Sequence, residues 1–368
     1  EIASALSAAS KVVNTHTTLP ILSNVLLRAE DDRVSVRATD LELTLEQWFP
    51  ATVEIPGEVT VPAKLLAGFL GTLTAGSLEI TGSATRVSVK AERSNYDFHA
   101  LPASEFPPRA DEHRGQSFSL SAKKFRDAVN AVIFAASKEE ARGAVLQGTL
   151  MELEGTTLTM VATDGYRLSK WTTSLDEPYG SNVRYIVPSR ALAEAARNLG
   201  AAETIEICPV STSGSASGTG QLILSTPTTS VMVRLVDGQY PNYAQVIPAE
   251  FSRSVRVNTA GLIGGLRRAE LVSRDQASTV RLELANQSLM ITASSDVTGN
   301  AHEELEVEQT GDGLTVAFNA RYLVEILNHI ESAQTLIELD KELSPAAIRP
   351  VEANEFGNQM YILMPLRK

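Results

Sequence analysis

The sequence holds a single cysteine, Cys208, so no intrachain disulfide can form. A chain of 368 residues this poor in cysteine fits a reducing cytosol. No apolar run reaches the roughly 18–20 residues that a membrane-crossing helix needs. The opening stretch, Glu1-Ile2-Ala3-Ser4-Ala5-Leu6, has neither a basic segment nor a continuous apolar one, and it reads as an amphipathic helix rather than a signal peptide. Five histidines, His16, His99, His113, His302 and His329, are scattered without metal-ligand spacing, and no motif surrounds Cys208. Gly214-Ser215-Ala216-Ser217-Gly218-Thr219-Gly220 is glycine-rich, but no Lys-Ser/Thr follows it. Lying between strand-like runs, it reads as a hairpin loop and not as a phosphate cradle. No metal, nucleotide or other cofactor is expected. Positive charge is short as well: the net charge is −12, which taken alone argues against a nucleic-acid binder.

What the chain does have is enough apolar residue, 43%, with 21% charged, to build packed cores. Its length is comfortable for two or three domains. Three stretches repeat one order of features. In the first, Leu26 to Glu46, a strand meets a polar turn at Glu30-Asp31-Asp32. The alternating run Val34-Ser35-Val36-Arg37-Ala38 follows, then Thr39-Asp40, then a strand from Leu41. In the second, Met151-Glu152-Leu153, a turn at Glu154-Gly155, and Leu158 to Ala162 lead to Thr163-Asp164-Gly165. In the third, Val280 to Leu284, a turn at Ala285-Asn286-Gln287, and Leu289 to Ala293 lead to Ser294-Ser295-Asp296. Such alternation marks half-buried strands joined by tight turns. A helix is predicted to open each unit, over 1–13, 121–138 and 259–274. A second follows the strands, from Pro62, Pro188 and Asn319, with the prolines suited to a first helical turn and Asn319 to an N-cap. Asp40 and Asp164 are 124 residues apart, Asp164 and Asp296 132, Pro62 and Pro188 126, and Pro188 and Asn319 131. The period is far too long for a solenoid. The expected fold class is therefore α+β, as three tandem domains, each with two helices packed on a mostly antiparallel sheet.

Charge is unevenly spread. The six helical segments sum to about +7 while the whole chain is −12, so the helices are the basic part of an acidic protein. Solvated helix surfaces account for such a count as well as a basic face for a polyanion does. Asp40 and Asp164 resemble a carboxylate pair for acid–base work. As equivalent positions of two repeats, they are better read as one structural device used twice, each bonding backbone amides at a strand corner.

Five motifs then resemble one family. Leu19-Pro20-Ile21-Leu22-Ser23-Asn24, Ala38 to Glu42, Val161 to Leu168, Leu235 to Tyr243 and the terminal Tyr361 to Arg367 are similar to the bacterial DNA polymerase III beta subunit, in order and through nearly the whole chain. The resemblance implies three copies of a DNA-clamp domain, at 1–113, 114–250 and 251–368, closing as a head-to-tail dimeric ring. The chain starts at a helix, without the strand that opens the family's first domain. Twelve helices packed about 8–10 Å apart, each about 10 Å thick, would leave an opening of around 25 Å, enough for duplex DNA and water. The implied function is that of a sliding clamp, a cytoplasmic processivity factor that encircles duplex DNA without sequence preference and catalyses nothing. Retention by topology needs only modest basic charge. Implied partners are DNA polymerase III alpha, clamp-loader subunits, and other polymerases and repair proteins that bind through short peptide motifs.

Carried over by position, the peptide groove comprises Leu146, Thr163, Gly165, Tyr166, Arg167, Leu168, Pro241, Val246, Asn319, Tyr322, Leu343, Ile362, Met364, Pro365, Leu366 and Arg367. Aliphatic residues and Met make an adaptable slot, and Arg167 and Arg367 could bond peptide carbonyls or carboxylates. A buried terminal strand is the plainer reading of Met364-Pro365-Leu366. DNA-facing cations are Lys11, Lys64, Lys123, Lys124, Arg126, Arg142, Arg190, Arg197, Arg267, Arg268 and Arg321. The dimer contact would use Phe106 on one side with Leu271 and Val272 on the other. Three departures from the family pattern stand out. Tyr166 occupies a position where His is familiar, His16 one where a basic residue is frequent, and Arg142 is displaced by one position. A peptide-binding scaffold that never encircles DNA is the alternative these residues leave open.

Overall fold

The computed structural model describes residues 1–13, 17–74, 76–91, 94–108, 112–212, 220–274 and 277–367. His16, Arg109 and residues 214–219 of the glycine-rich stretch lie outside the described residues. The first repeat runs α1 (Ile2–Val12), β1 (Asn24–Glu30), β2 (Arg33–Thr39), β3 (Leu43–Pro50), β4 (Gly57–Pro62), α2 (Ala63–Leu70), β5 (Leu78–Gly82), β6 (Arg86–Ala91) and β7 (Ser94–His99). The second runs β8 (Glu112–Arg114), β9 (Phe118–Ser121), α3 (Ala122–Val132), the single turn α4 (Ala144–Gln147), β10 (Gly148–Glu154), β11 (Thr157–Thr163), β12 (Arg167–Ser174), β13 (Val183–Pro188), α5 (Ser189–Arg197), β14 (Thr204–Thr212), β15 (Gln221–Ser225) and β16 (Thr229–Arg234). The third runs β17 (Arg253–Asn258), α6 (Thr259–Ser273), β18 (Thr279–Ala285), β19 (Ser288–Ser295), β20 (Gly299–Glu306), β21 (Glu308–Thr310), β22 (Leu314–Asn319), α7 (Ala320–Leu327), β23 (Gln334–Leu339), β24 (Ala346–Pro350) and β25 (Asn358–Leu363).

Local sequence explains these elements. In α1, Ala5, Leu6, Ala8, Ala9 and Val12 form one buried stripe, and α1 packs on α2 through it. In α6 the buried stripe is Leu262, Gly265, Leu266, Ala269 and Ser273, and α6 packs on α7. Gly265 lets the same helix lie close on β19, since a Cβ there would come within 3.0 Å of Ile291 Cδ1. Asn319 caps α7 as expected, its side chain accepting from the amides of Arg321 and Tyr322. The prolines differ from expectation. Pro62 and Pro188 are the last residues of β4 and β13, and the helices begin one residue later. The residue before a proline is held extended, so the strand runs through to it. Both strands are at the edge of their sheets, where a missing amide donor is tolerated.

The described residues form two compact units that cut the second repeat in half: Glu1–Ala122 with Arg190–Leu235, and Lys123–Ser189 with Val236–Lys368. Each is built on one nine-stranded antiparallel sheet that crosses from one repeat into the next. In the first unit the order is β4-β1-β2-β3-β16-β15-β14-β8, with β9 also on β14. In the second it is β13-β10-β11-β12-β25-β24-β23-β17-β21. The joints are equivalent strand pairs. β3 lies on β16 with Leu45 opposite Val231, and β12 lies on β25 with Leu168 opposite Ile362. The counterparts of the two joint strands in the remaining copy are β20, at the edge of a four-stranded sheet, and β7, at the edge of a three-stranded one. β14 and β15 form the hairpin expected to flank the glycine-rich stretch.

The corner before each joint strand is a repeated device. Asp40 Oδ1 accepts from the amides of Glu42 (3.1 Å) and Leu43 (2.8 Å), and Thr39 Oγ1 donates to Leu43 O. Asp164 Oδ1 accepts from Tyr166 (2.9 Å) and Arg167 (3.0 Å), and Thr163 Oγ1 donates to Arg167 O. In the third copy the job falls to Ser295, whose Oγ accepts from Val297 and Thr298. The sequence reading had equated Asp296 instead. Ser295 restores a spacing of 131 from Asp164, the same as Pro188 to Asn319.

Candidate functional site

The second corner leads into a constellation of aromatic and charged side chains, all within the second unit. Arg167 opens β12 and its side chain is 5% exposed. Its three nitrogens are all engaged: Nε to Asp164 Oδ2 (3.2 Å), Nη1 to Glu325 Oε2 (2.7 Å) and Nη2 to the Phe134 carbonyl (3.1 Å). Its guanidinium also lies over the rings of Tyr322 (4.6 Å) and Phe134 (5.2 Å). A buried arginine demands this many partners. Arg167 is thus a buried strut at this corner with every nitrogen engaged, whereas the resemblance offers it to a peptide. Arg142, expected to face DNA, belongs here as well. It donates to Glu139 Oε2 (3.0 Å) and to the Asp164 carbonyl (2.8 Å), and it covers the Tyr166 ring at 4.5 Å. Hydrogen bonds to Glu139 and Tyr166 hold its guanidinium above its ordinary pKa. Tyr166 and Tyr322 stack with centroids 6.1 Å apart.

The remaining groove candidates divide into floor and lip. Leu168 and Ile362 face each other across the joint and are buried in one core with Leu150, Val161, Ile186 and Ala347. Thr163 and Asn319 are spent on the corner and on the α7 cap. Met364, Pro365 and Leu366 continue past the end of β25, half-buried, with Met364 N donating to Tyr166 O and Leu366 N to Ala317 O. The buried strand ends at Leu363, so Met364-Pro365-Leu366 are not a buried terminal strand; they lie half-buried beside the corner. Leu146 is half-buried on α4. The exposed lip is Gly165, Tyr166 (47%), Pro241, Val246 (37%), Leu343 (58%) and Arg367. Sequence reading missed Phe134, Glu325 and His329, and only their distance from the motif hid them. His329 stacks on Phe134 with centroids 4.1 Å apart and planes 9° apart. Burial pushes its imidazole below the ordinary 6.5; Glu325 opposes the shift and Arg167 adds to it.

Most of the expected DNA-facing cations are exposed on helices, but many hold an acid. Arg190 pairs with Asp40 and Arg197 with Glu194. Arg268 pairs with Glu303, and Arg321 with Glu270 on the neighbouring helix. In each pair the carboxylate is the more buried partner and the guanidinium projects. Lys124 contacts Asp176, Lys123 lies 4.3 Å from the Phe356 ring centre, and Arg267 donates to Asn328. Lys11, Lys64 and Arg126 are exposed.

Three sequence families match the chain in order. They are the N-terminal domain of the DNA polymerase III beta subunit over residues 1–110, its central domain over 119–242 and its C-terminal domain over 244–367. The chain is 31% identical to the beta sliding clamp of Pseudomonas aeruginosa over 98% of its own length and 96% of that protein. The chain belongs to the DNA polymerase III beta subunit family. It is also 31% identical to the beta sliding clamp of Synechococcus elongatus, over 100% of this chain and 97% of that protein. Among solved structures, a Pseudomonas aeruginosa sliding clamp bound to griselimycin superimposes with a TM-score of 0.91 at 30% identity, covering 100% of this chain and 97% of that one.

For a member of this family, the residues expected at a subunit contact are unevenly placed. Leu271 is exposed on the last turn of α6 and Val272 is half-buried. Phe106 is not available. It is 4% exposed, packed among Ile21, Leu22 and Leu26, with the Arg37 guanidinium over its ring. Leu101 and Ala103 pack against the same cluster. Of the two aromatics on the edge strand β7, Phe98 is buried and Tyr96 is 48% exposed, its ring centroid 4.3 Å from that of Phe69. Among the described residues no helix is long and apolar enough to cross a membrane, and no group of three or more His, Cys, Asp and Glu could hold a metal ion.

Proposed function

We propose that the chain is a DNA sliding clamp, a processivity factor that encircles duplex DNA as a head-to-tail pair and carries polymerases on its groove. One observation carries the ring. Two of three equivalent joints are already made within the chain, β3 on β16 and β12 on β25, and the counterparts β20 and β7 are unmatched edges. Pairing β20 of one copy with β7 of its partner, twice, uses all four edges that would otherwise invite aggregation. Tyr96, Leu271 and Val272 would lie at that contact, and Phe106 would support it from beneath. The exposed helix cations, among them four arginines each paired with a more buried acid, suit loose contact with phosphates in the ring's channel.

We place the domain limits at 1–113, 114–250 and 251–368. The segment before Phe251 goes to the second domain because the Tyr240 hydroxyl donates to the Val161 carbonyl and the Tyr243 hydroxyl to Glu152, both residues of that domain. The lip around Tyr166, Val246, Leu343 and Leu366, with Arg142 added and Arg167 beneath, would take short apolar peptides of polymerase III alpha, clamp-loader and repair proteins, and also griselimycin. The reading implies a non-catalytic protein working in the cytoplasm. The peptide-only scaffold is not favoured, since it leaves the three clamp domains and their open edges without a role.

The test is retention on nicked circular DNA, with a clamp loader and ATP, against the same DNA linearised. Loss only on linearisation supports encirclement, while equal loss from both removes it. Sedimentation should give about twice the 39.5 kDa chain mass. For the groove, fluorescein-labelled griselimycin should bind, and Leu343→Asp should weaken it without unfolding the protein.

A further inference from the structure

The groove's outer wall, Pro241 and Val246, belongs to a connecting segment with no regular sheet or long helix of its own; Tyr243–Val246 form a single 3-10 turn. Irregular segments hold position only where specific contacts fix them. Three, among the described residues, matter most here. Gly238 has φ +134° and comes so near α4 that a Cβ would meet Val145 Cγ2 at 2.9 Å. The Tyr240 hydroxyl donates to the Val161 carbonyl at 3.3 Å. The Tyr243 hydroxyl donates to Glu152 Oε2 in a short hydrogen bond.

The third contact is unusual. Glu152 lies in the middle of β10, where its side chain is only 8% exposed. A carboxylate there is costly unless both oxygens are satisfied. Oε1 accepts from Arg184 Nε at 2.7 Å, from the residue directly opposite on β13, and Oε2 accepts from Tyr243. Strand stability does not call for a carboxylate at this position, since an apolar residue would pack there at lower cost. The charge is explained if its task is to grip the tyrosine of the passing segment. Burial and the adjoining carboxylate both push the Tyr243 phenol far above its ordinary range, so it stays a donor at all working pH.

We infer that Glu152, oriented by Arg184, is a positioning residue of the peptide groove: through Tyr243 it holds the wall carrying Pro241 and Val246 at the spacing a bound ligand needs. The inference rests on the groove reading above. The wall is set before the ligand arrives, so the latch contributes affinity by removing an ordering cost from binding.

The test measures binding of fluorescein-labelled griselimycin to the full chain. Tyr243→Phe removes the donor and little else, and should raise Kd by roughly three- to tenfold, the worth of one hydrogen bond. Glu152→Met keeps the side chain's length, removes both acceptor oxygens and should do the same. The double variant should lose no more than either single one, because both break the same contact. Thr149→Val serves as the structural control. Thr149 lies on the same strand as Glu152, and the substitution removes its buried 2.9 Å bond to Ser189 of α5, which should lower Tm while leaving Kd unchanged. Retention on circular DNA should be unaffected throughout. The inference is overturned if Tyr243→Phe behaves as Thr149→Val does, or if the two latch substitutions add. Failure of the groove reading looks different: wild-type protein would not bind the probe, or Leu343→Asp would bind it as well as wild type.

Discussion

The corner at Thr39–Leu43 and the corner at Thr163–Arg167 have the same backbone bonds from the same Thr-Asp pair, and they lead to opposite surroundings. Asp40 turns its second oxygen to Arg190, an exposed guanidinium on α5. Asp164 turns its second oxygen to Arg167, buried and tied to Glu325 and Phe134. The residue three places after the aspartate decides this, Leu43 in one copy and Arg167 in the other. A repeated turn fixes the chain path, and one substitution within it makes one joint a plain seam and ties the other into a buried network of charge and aromatic rings.

The largest way to break the comparison is Arg167→Ala. It strands Asp164 and removes support from Tyr322 and Phe134, and should cost roughly 3–5 kcal/mol in urea unfolding, with griselimycin binding lost. Leu43→Ala at the matching position creates a cavity worth about 2–4 kcal/mol and should leave the probe's Kd unchanged. Equal effects on binding would mean that the second corner is no more specialised than the first.

A sharper version substitutes the aspartates. Asp164→Asn keeps the acceptor for two amides but breaks a buried ion pair, and should cost about 2–3 kcal/mol. Asp40→Asn keeps the same two amide bonds and loses only a largely exposed pair, worth about 1 kcal/mol or less. Matching urea midpoints would show that the two arginines are equivalent after all.

Proton linkage separates the two regions next. His329 is stacked on Phe134 behind the second corner and has its pKa lowered by burial. The unfolded chain therefore takes up a proton near 6.5 that the folded one resists, so stability is whole above that pH and falls as pH drops below it. His329→Phe keeps the stacked ring and should flatten the difference in urea midpoint between pH 7.5 and 5.5. An unchanged slope would remove His329 from the acid response.

Three α+β copies, their period and their helices were legible because alternation and caps are local signals. Asn319 announces its cap two and three residues ahead of the amides it binds. The fate of each motif residue was less legible. Phe106 reads as an interface aromatic, and its burial depends on Ile21 and Leu22, some eighty residues away. Arg142 reads as a DNA cation, and its place depends on Tyr166. Glu152 reads as the polar face of an ordinary strand, with nothing nearby to show that Tyr243, 91 positions on, will close over it. Patterns of period two and 3.6 report which way a side chain points, and not what a distant segment brings to meet it.

The smallest expected effect concerns the exposed arginines that the first corner typifies. Asp40 is committed to its turn, so removing it would confound charge with structure. Glu270 offers the cleaner case, because its contact with Arg321 Nε at 2.8 Å is a side-chain pair between two helices. Glu270→Gln keeps an oxygen for that bond and deletes one negative charge. If these arginines face phosphate, the variant should hold duplex DNA more tightly at low salt, with the slope of log K against log salt steeper by up to about 0.9, one additional phosphate neutralised. Fluorescence anisotropy over a salt series reads this directly. A slope identical to wild type, together with unchanged binding in Arg321→Ala, would place this helix pair away from the DNA and confine the basic channel to the other copies.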